Sequence, residues 1–405
     1  MAFAERILAP LAHFRGKLKG TRVNMAHDGV LQAARPARTT TRQMASALEN
    51  ALTIPCPDPT AEERARDTHQ GRGQKLARLE EWTRLSEEIA EADAARLKTQ
   101  GGTPVAELLA YGARADVVGA AEHALLSGKP DPKAPLLAGI EALEQVLAEH
   151  PDDPRIAVIV ALAHIDIGWA WRGPGWDIEV PLRNREAFHA HFDRAADIVA
   201  DYDADTLDSP LLAATSCALS VGRGGPARQI TRNFERWIDL DIKNARAYRT
   251  FGVQMLPRGH GSYERLELES RRAAGRTHDV WGAGAYAWVM FDAISTDPEA
   301  CARVDLDFFL DGLRDILHNT GDQHTVNLMA AYCANVRDHL PELHPMLWAH
   351  AARGFDNALR IRCPDRFAAS GYADALRYLT DLFRRELAAG KRVVFTENGA
   401  ETRTA

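Results

Sequence analysis

The chain has 405 residues, of which 46% are hydrophobic and 26% charged, and a formal net charge of -7. This composition is ordinary for a globular protein, and the length allows a sizeable core. Residues 1–50 hold eight Lys/Arg and three Asp/Glu, so the remaining residues carry a net charge of -12. A body of that charge argues against nucleic-acid binding, which needs a basic face.

The cysteines and the apolar runs indicate the cellular compartment in which we expect the protein. The five cysteines are widely spaced and include no C-x-x-C pair, which favours a reducing compartment over a disulfide framework. No apolar run reaches the roughly 18 residues of a membrane span. The start of the chain contains Glu5, Arg6 and Pro10, unlike the uninterrupted apolar core of a secretory signal. We therefore expect a cytoplasmic protein without a transmembrane segment.

Residues 1–58 are interpreted as a basic N-terminal extension. They lack sustained periodicity, and the prolines at 55, 57 and 59 cannot continue a helix, so they mark a boundary. Two roles remain open for this segment. It is a tail or strap on the body of the protein, or an amphipathic helix over residues 1–19 contacts an anionic membrane surface.

Helical patterns dominate residues 60–390, which are predicted to form one α-helical domain. Residues 60–100 predict a charged helix with one narrow apolar stripe, ended by Gly101 and Gly102. Thr103 and Pro104 then predict the start of the next helix. The run Val393–Phe395 is the one short strand candidate, and it lies in a C-terminal tail of residues 391–405.

Five segments share an apolar pattern at positions i, i+4, i+7 and i+12. The first three positions line one face of a helix, and the fourth follows its end. The segments recur every 42 to 49 residues, with one gap of about twice that length, which is typical of stacked helical hairpins. The segments are Gly139/Leu143/Val146/Pro151, Phe188/Phe192/Ala195/Ala200, Ile230/Phe234/Trp237/Ile242, Phe309/Leu313/Ile316/Gly321 and Ala351/Phe355/Ala358/Cys363.

A second helix follows the third segment, with Tyr248, Phe251, Gly252 and Met255 at successive apolar positions. The small Gly252 beside bulky residues lets two helices of a hairpin approach closely. This arrangement resembles the tetratricopeptide pattern. The resemblance implies an all-α fold of stacked antiparallel hairpins, a tetratricopeptide-like α-solenoid. Its repeats are irregular, since their spacing exceeds the usual 34 or so residues.

Residues 168–274 also resemble an uncharacterised bacterial family of helical-hairpin domains to which no function is assigned. The chain departs from that family at Gly259, where a tryptophan is expected after the Pro-Arg pair. The resemblance implies a fold and no activity. The resemblance rests on residues 169–173, 188–195, 234–244 and 256–262.

Three of the eight tryptophans fall within residues 168–176, giving Trp169, Trp171, Arg172 and Trp176 as candidate binding residues. Tryptophan and arginine are enriched at binding hot spots, and clustered indoles also form cages for cations. The alternative is a helix end whose indoles fill the groove beneath the next hairpin.

The glycine-rich segment 256–263 supplies two further candidates, Arg258 and His260. An anion would bind here through Ser262 and the backbone N–H groups at the start of the following helix. The alternative is a polar loop between repeats.

Motifs for cofactor and metal chemistry do not fit their required contexts. The segment 282–288 partly matches G-x-G-x-x-G/A, but no strand precedes it, so Tyr286 and Trp288 are interpreted as packing aromatics. His189 and His191 are two residues apart and point to different sides of a helix. We expect no cofactor and no metal.

Three functions remain open. The favoured one is a non-enzymatic helical repeat module that binds another protein or a peptide in a groove. The second is an enzyme whose site lies between hairpins and uses a carboxylate with His260 or His278. The third is peripheral membrane association through the basic N-terminus.

Overall fold

The computed structural model describes residues 52–53, 59, 61–126, 138–173, 180–320, 325, 383–396 and 399–404. The chain divides into two compact units, one formed by residues 61–293 and the other by residues 1–60 and 294–405. The described residues are mostly helical, which confirms the predicted helical class. The candidate segments at 1–19 and 351–363 lie outside the described residues.

The unit of residues 61–293 is built from consecutive helices, and the last of them ends just beyond the boundary. They are α1 (Ala61–Arg78), α2 (Trp82–Ala94), α3 (Val105–Ala124), α4 (Ala138–Glu149), α5 (Pro154–Arg172), α6 (Leu182–Val199), α7 (Pro210–Gly222), α8 (Ala227–Leu240), α9 (Ala245–Gln254), α10 (Tyr263–Arg276), α11 (His278–Trp281) and α12 (Gly284–Thr296).

The other unit contains a small sheet and further helices among its described residues. Strand β1 pairs in parallel with β2, and β2 pairs with β3 in an antiparallel hairpin in which Thr396 faces Gly399. Strand β2 includes the predicted run Val393–Phe395. The elements are β1 (Leu52–Thr53), α13 (Pro298–Arg303), α14 (Leu306–Asn319), α15 (Arg384–Ala388), β2 (Lys391–Thr396) and β3 (Gly399–Thr404).

Helix α5 is the central helix of its unit and packs against α2, α3, α4, α6 and α7. Asp153 caps its N-terminus by accepting from the Arg155 and Ile156 N–H groups, and Pro154 occupies the first turn. Among the described residues it is the one helix long and apolar enough to cross a membrane. Its most apolar 18-residue window is 78% buried inside the protein, so this apolar surface is used in packing.

The repeated apolar pattern marks helix faces that the protein buries. Four of the five segments lie on α4, α6, α8 and α14, and in the first three of these the fourth position follows the helix end, as predicted. In α6, α8 and α14 the first three positions are all buried. These residues are Phe188, Phe192, Ala195, Ile230, Phe234, Trp237, Phe309, Leu313 and Ile316.

The prediction of a single helix over residues 60–100 is wrong, because this range contains two helices, α1 and α2. The helix is interrupted between Arg78 and Trp82, where Glu80 has a positive φ of 58°. Leu79 continues the apolar spacing of Leu76, but it is 55% exposed. The following helix, α3, begins at Val105 with Pro104 as its N-cap residue, one position later than predicted.

Gly252 permits a close helix approach, as the sequence predicted, but to a different helix. Tyr248, Phe251 and Met255 on the same helix, α9, are buried. A Cβ atom at Gly252 would lie 1.7 Å from the backbone oxygen of Val289 on α12. The glycine therefore lets α9 approach α12, which is not its sequence neighbour in a hairpin.

Candidate binding surface

The tryptophans on α5 have different environments. Trp171 is only 8% exposed, and its backbone oxygen accepts a hydrogen bond of 2.8 Å from the Asn184 side chain on α6. Trp169 is half-buried, and its ring packs edge-on against Phe188 and Phe192. Trp171 is thus a core residue, whereas part of Trp169 remains accessible. Trp176 lies outside the described residues.

An arginine guanidinium lies over each of the two indole rings. The Arg172 guanidinium lies 5.6 Å from the centre of the Trp169 ring, and the Arg183 guanidinium lies 5.5 Å from that of Trp171. Such cation–π contacts hold a guanidinium against a ring, and the Arg172 Nη1 group also donates to the Gly173 carbonyl at 3.2 Å. Arg172 is half-buried and Arg183 exposed, so both are accessible to a ligand.

Exposed residues at the start of α6 extend this region. Leu182 is 64% exposed, and Arg185 is also exposed. An accessible leucine beside stacked arginines and a partly open indole combines apolar and cationic contacts on one surface. We call this set of residues the α5–α6 surface. It comprises Trp169, Arg172, Leu182, Arg183 and Arg185.

Arg258 and His260 lie in the turn between α9 and α10. They are therefore distant in the chain from Trp169 and Arg172, which lie on α5. The turn is held by the His260 N–H, which donates to the Gln254 carbonyl at 2.8 Å, and by the Gly259 N–H, which donates to the Leu256 carbonyl at 2.9 Å. Ser262 caps α10 by accepting from the Arg265 N–H. The Ser262 hydroxyl is thus already used at this helix start, while Arg258 is exposed and His260 half-buried.

A cluster of polar residues on α4, α5 and α6 was not found from the sequence. His164 Nε2 lies 2.8 Å from Glu144 Oε1, and His164 Nδ1 lies 2.9 Å from His191 Nδ1. Arg194 forms a bidentate ion pair with the same carboxylate, at 2.8 and 2.6 Å. The Arg194 hydrogen bond, followed by that from His164, lowers the pKa of Glu144 despite its burial.

The ionised carboxylate fixes the tautomers of the two histidines. Glu144 accepts from His164 Nε2–H, so His164 Nδ1 is the acceptor and His191 Nδ1–H the donor. Burial lowers the pKa of His164, and burial followed by the neighbouring His164 lowers that of His191 to about 4. Both rings are therefore neutral at pH 7. Among the described residues, no group of three or more His, Cys, Asp or Glu is arranged to hold a metal ion.

Asp93 is a partly buried carboxylate whose pKa is raised by burial, as that of a general acid would be. Its oxygens accept from the Ser209 hydroxyl and, at 3.1 Å, from the Leu211 N–H at the start of α7. The carboxylate therefore stabilises a helix N-terminus from the end of α2. Of the two histidines considered for an enzyme, His278 is exposed on α11 and His260 is half-buried in the turn before α10.

Comparisons with protein families, with characterised proteins and with solved structures find no match to this chain.

Proposed function

We propose that residues 61–293 form a stack of antiparallel helical hairpins, tetratricopeptide-like with irregular repeats, that binds an acidic segment of another protein or a peptide. The contacts between helices support the stack. The pairs α5–α6 and α7–α8 pack as sequence neighbours, while α5 also packs against α3 and α7, the corresponding helices of the adjacent pairs. Such stacking creates extended surfaces suited to peptide recognition.

The α5–α6 surface carries the proposal. It combines a half-buried indole, an exposed leucine and three accessible arginines, two of which stack on tryptophan rings. Stacking reduces the conformational entropy that an arginine loses on binding, because the guanidinium is already oriented. The partner that fits this surface presents carboxylates around an apolar anchor, since arginine pairs bidentately with carboxylate groups.

The test first selects peptides from a random library for binding to the immobilised protein. The affinities of the selected peptides are then measured for the wild type and for the double variant Arg172→Gln/Arg183→Gln. We expect the selected peptides to be acidic with one or two apolar residues, and the variant to bind them at least about tenfold more weakly. The matched control is Arg78→Gln/Arg84→Gln, which removes two exposed arginines on α1 and α2 and should bind as the wild type does.

Circular dichroism and thermal unfolding first establish that each variant is folded. Amide hydrogen exchange of the complex then locates the peptide, with protection expected at residues 169–173 and 182–186. Equal affinity of the folded Arg172→Gln/Arg183→Gln variant for the selected peptides would refute the α5–α6 surface as the binding site.

A further inference from the structure

A second feature of residues 61–293 is a group of arginines contributed by helices far apart in the chain. Arg246 on α9 forms an ion pair with Glu107 on α3. Arg249, three residues later, forms a bidentate ion pair with Asp292 on α12 at 2.8 and 3.1 Å, and its guanidinium lies 5.3 Å from the centre of the Phe291 ring. These contacts bring α3, α9 and α12 together around two guanidinium groups.

The packing of α1 against α3 places Arg66, on α1, beside this group. The Glu62 carboxylate accepts from the Thr103 hydroxyl near the start of α3, and Arg78 near the end of α1 pairs with Asp116, so the two helices run parallel. One turn after Glu62 comes Arg66, and one turn after Thr103 comes Glu107, so these two residues lie level on adjacent helices.

The charges of this group are not balanced by its own ion pairs. Glu107 and Asp292 pair with Arg246 and Arg249 respectively. The Arg66 Nε atom is buried and has no hydrogen-bond partner among the residues that the structure describes. A buried N–H group of a guanidinium without an acceptor is costly, so an additional acceptor with negative charge would stabilise it.

The Glu62 carboxylate, one turn before Arg66 on α1, is directed elsewhere. Glu62 is 6% exposed, and its oxygens accept from the Thr99 hydroxyl at 2.7 Å, the Gly101 N–H at 2.7 Å and the Thr103 hydroxyl at 3.3 Å. These bonds hold the carboxylate on the loop of residues 99–103. Glu62 thus provides no hydrogen bond to the Arg66 Nε atom.

The arginine group is only partly enclosed by protein. Burial, followed by the positive charges of Arg66 and Arg249, lowers the pKa of Arg246 to about 10, so both of these arginines act on it electrostatically. Yet 29% of the Arg246 side chain is accessible to solvent, compared with 14% for Glu107 and 14% for Arg249. A small ligand can therefore reach part of the Arg246 side chain.

We propose that Arg66, Arg246 and Arg249 form a binding site for the oxyanion group of a small molecule, separate from the α5–α6 surface. An oxyanion accepts from the buried Arg66 Nε–H and from outward N–H groups of the other two guanidiniums. It also relieves the repulsion between three positive charges at short range. Phosphate and carboxylate groups share this chemistry, and the test distinguishes them.

The experiment measures thermal unfolding of the full chain in sodium phosphate, sodium acetate and sodium chloride at equal ionic strength and pH. At about ten times the Kd of the bound anion, we expect Tm to rise by about 3 °C over the chloride value. A rise in phosphate alone identifies a phosphate group as the ligand feature, and a rise in acetate identifies a carboxylate. Equal Tm values in all three salts would overturn the proposal.

Arg66→Gln locates the site and separates binding from stability. This variant removes a charge that repels Arg246, so its Tm in chloride should equal or exceed the wild-type value, whereas the anion-dependent rise should disappear. A residue with a purely structural role would lower Tm in every salt. Arg78→Gln is the matched control on the same helix and should retain the full rise; an undiminished rise in Arg66→Gln would also overturn the proposal.

Arg66→Lys keeps the positive charge but lacks the Nε donor of the fork. We expect it to weaken the anion-dependent rise in Tm without abolishing it. This second variant provides the test if Arg66→Gln does not fold. A full wild-type rise in Arg66→Lys would show that charge alone is responsible and that the buried Nε–H is not a ligand.

Discussion

Gly73 on α1 and Gly112 on α3 each lie against the backbone of the opposite helix. A Cβ atom at Gly73 would lie 2.1 Å from the Leu109 carbonyl oxygen, and one at Gly112 would lie 2.0 Å from the Gln70 carbonyl oxygen. Both distances are far below van der Waals contact, so α1 and α3 approach this closely only because both positions lack a side chain.

This relationship predicts that Gly112→Ala destabilises the protein. The added methyl group forces α1 and α3 apart, and we expect the free energy of unfolding to fall by about 2 kcal/mol or more. Chemical denaturation monitored by circular dichroism measures the change. The matched control is Gly119→Ala on the same helix, where a Cβ atom meets nothing within 4 Å.

The control is expected to change stability in the opposite direction. Gly119→Ala should raise the free energy of unfolding by about 0.5–1 kcal/mol, since alanine is the better helix former. If Gly112→Ala also proved neutral or stabilising, the close approach of α1 and α3 would be incorrect.

The helical faces were predictable because burial has a period that the sequence displays. Ile230, Phe234 and Trp237 recur at helical spacing on α8, and all are buried. The break after Arg78 was not predictable in the same way. The apolar stripe continues through it, and no glycine or proline lies there, so only the positive φ of Glu80 reveals where the helix ends.

The candidate binding residues were predictable only in part. Trp169 and Trp171 lie two residues apart, and the sequence does not show which of them is the more deeply buried until the helices are packed. The pairing of His164 with His191 joins residues 27 positions apart on different helices. No local spacing encodes such a contact, and the same holds for Arg246 and Glu107.

Trp171 and Trp169 should respond differently to truncation. Because Trp171 is only 8% exposed, we expect Trp171→Ala to lower the free energy of unfolding by about 3–5 kcal/mol. Trp169→Ala should lower it by less, since part of its ring already contacts water. Urea denaturation of both variants measures the difference, and a larger loss for Trp169→Ala would contradict the assigned burial.

The buried ion pair of Arg114 on α3 with Asp166 on α5 gives a prediction about coupling. The Arg114 Nε atom lies 2.7 Å from Asp166 Oδ2, with side-chain exposures of 6% and 4%. We expect Arg114→Met and Asp166→Leu each to cost about 3–5 kcal/mol, because each leaves a charge buried without its partner. The double variant should cost less than the sum of the two by about 1–3 kcal/mol. Strictly additive free energies of unfolding would exclude this coupling.

The histidine pair predicts a loss of stability below neutral pH. His191 has a pKa of about 4 in the folded protein and about 6.5 when unfolded, so between these values the unfolded chain binds a proton that the folded protein does not. The stability contributed by neutral His191 is complete above pH 6.5 and falls as pH decreases toward 4. The titratable and charged groups around it are His164, Glu144 and Arg194 on α5, α4 and α6.

His191→Asn should remove this part of the pH dependence while retaining a donor toward His164. Between pH 7 and pH 5, we expect the loss of unfolding free energy to be smaller in the variant than in the wild type by about 1.5 kcal/mol. Urea denaturation at several pH values in this range provides the measurement, above the pH at which Glu144 titrates. His189→Asn, an exposed position on the same helix, should keep the wild-type dependence, and an unchanged slope in His191→Asn would show that His191 protonates equally in both states.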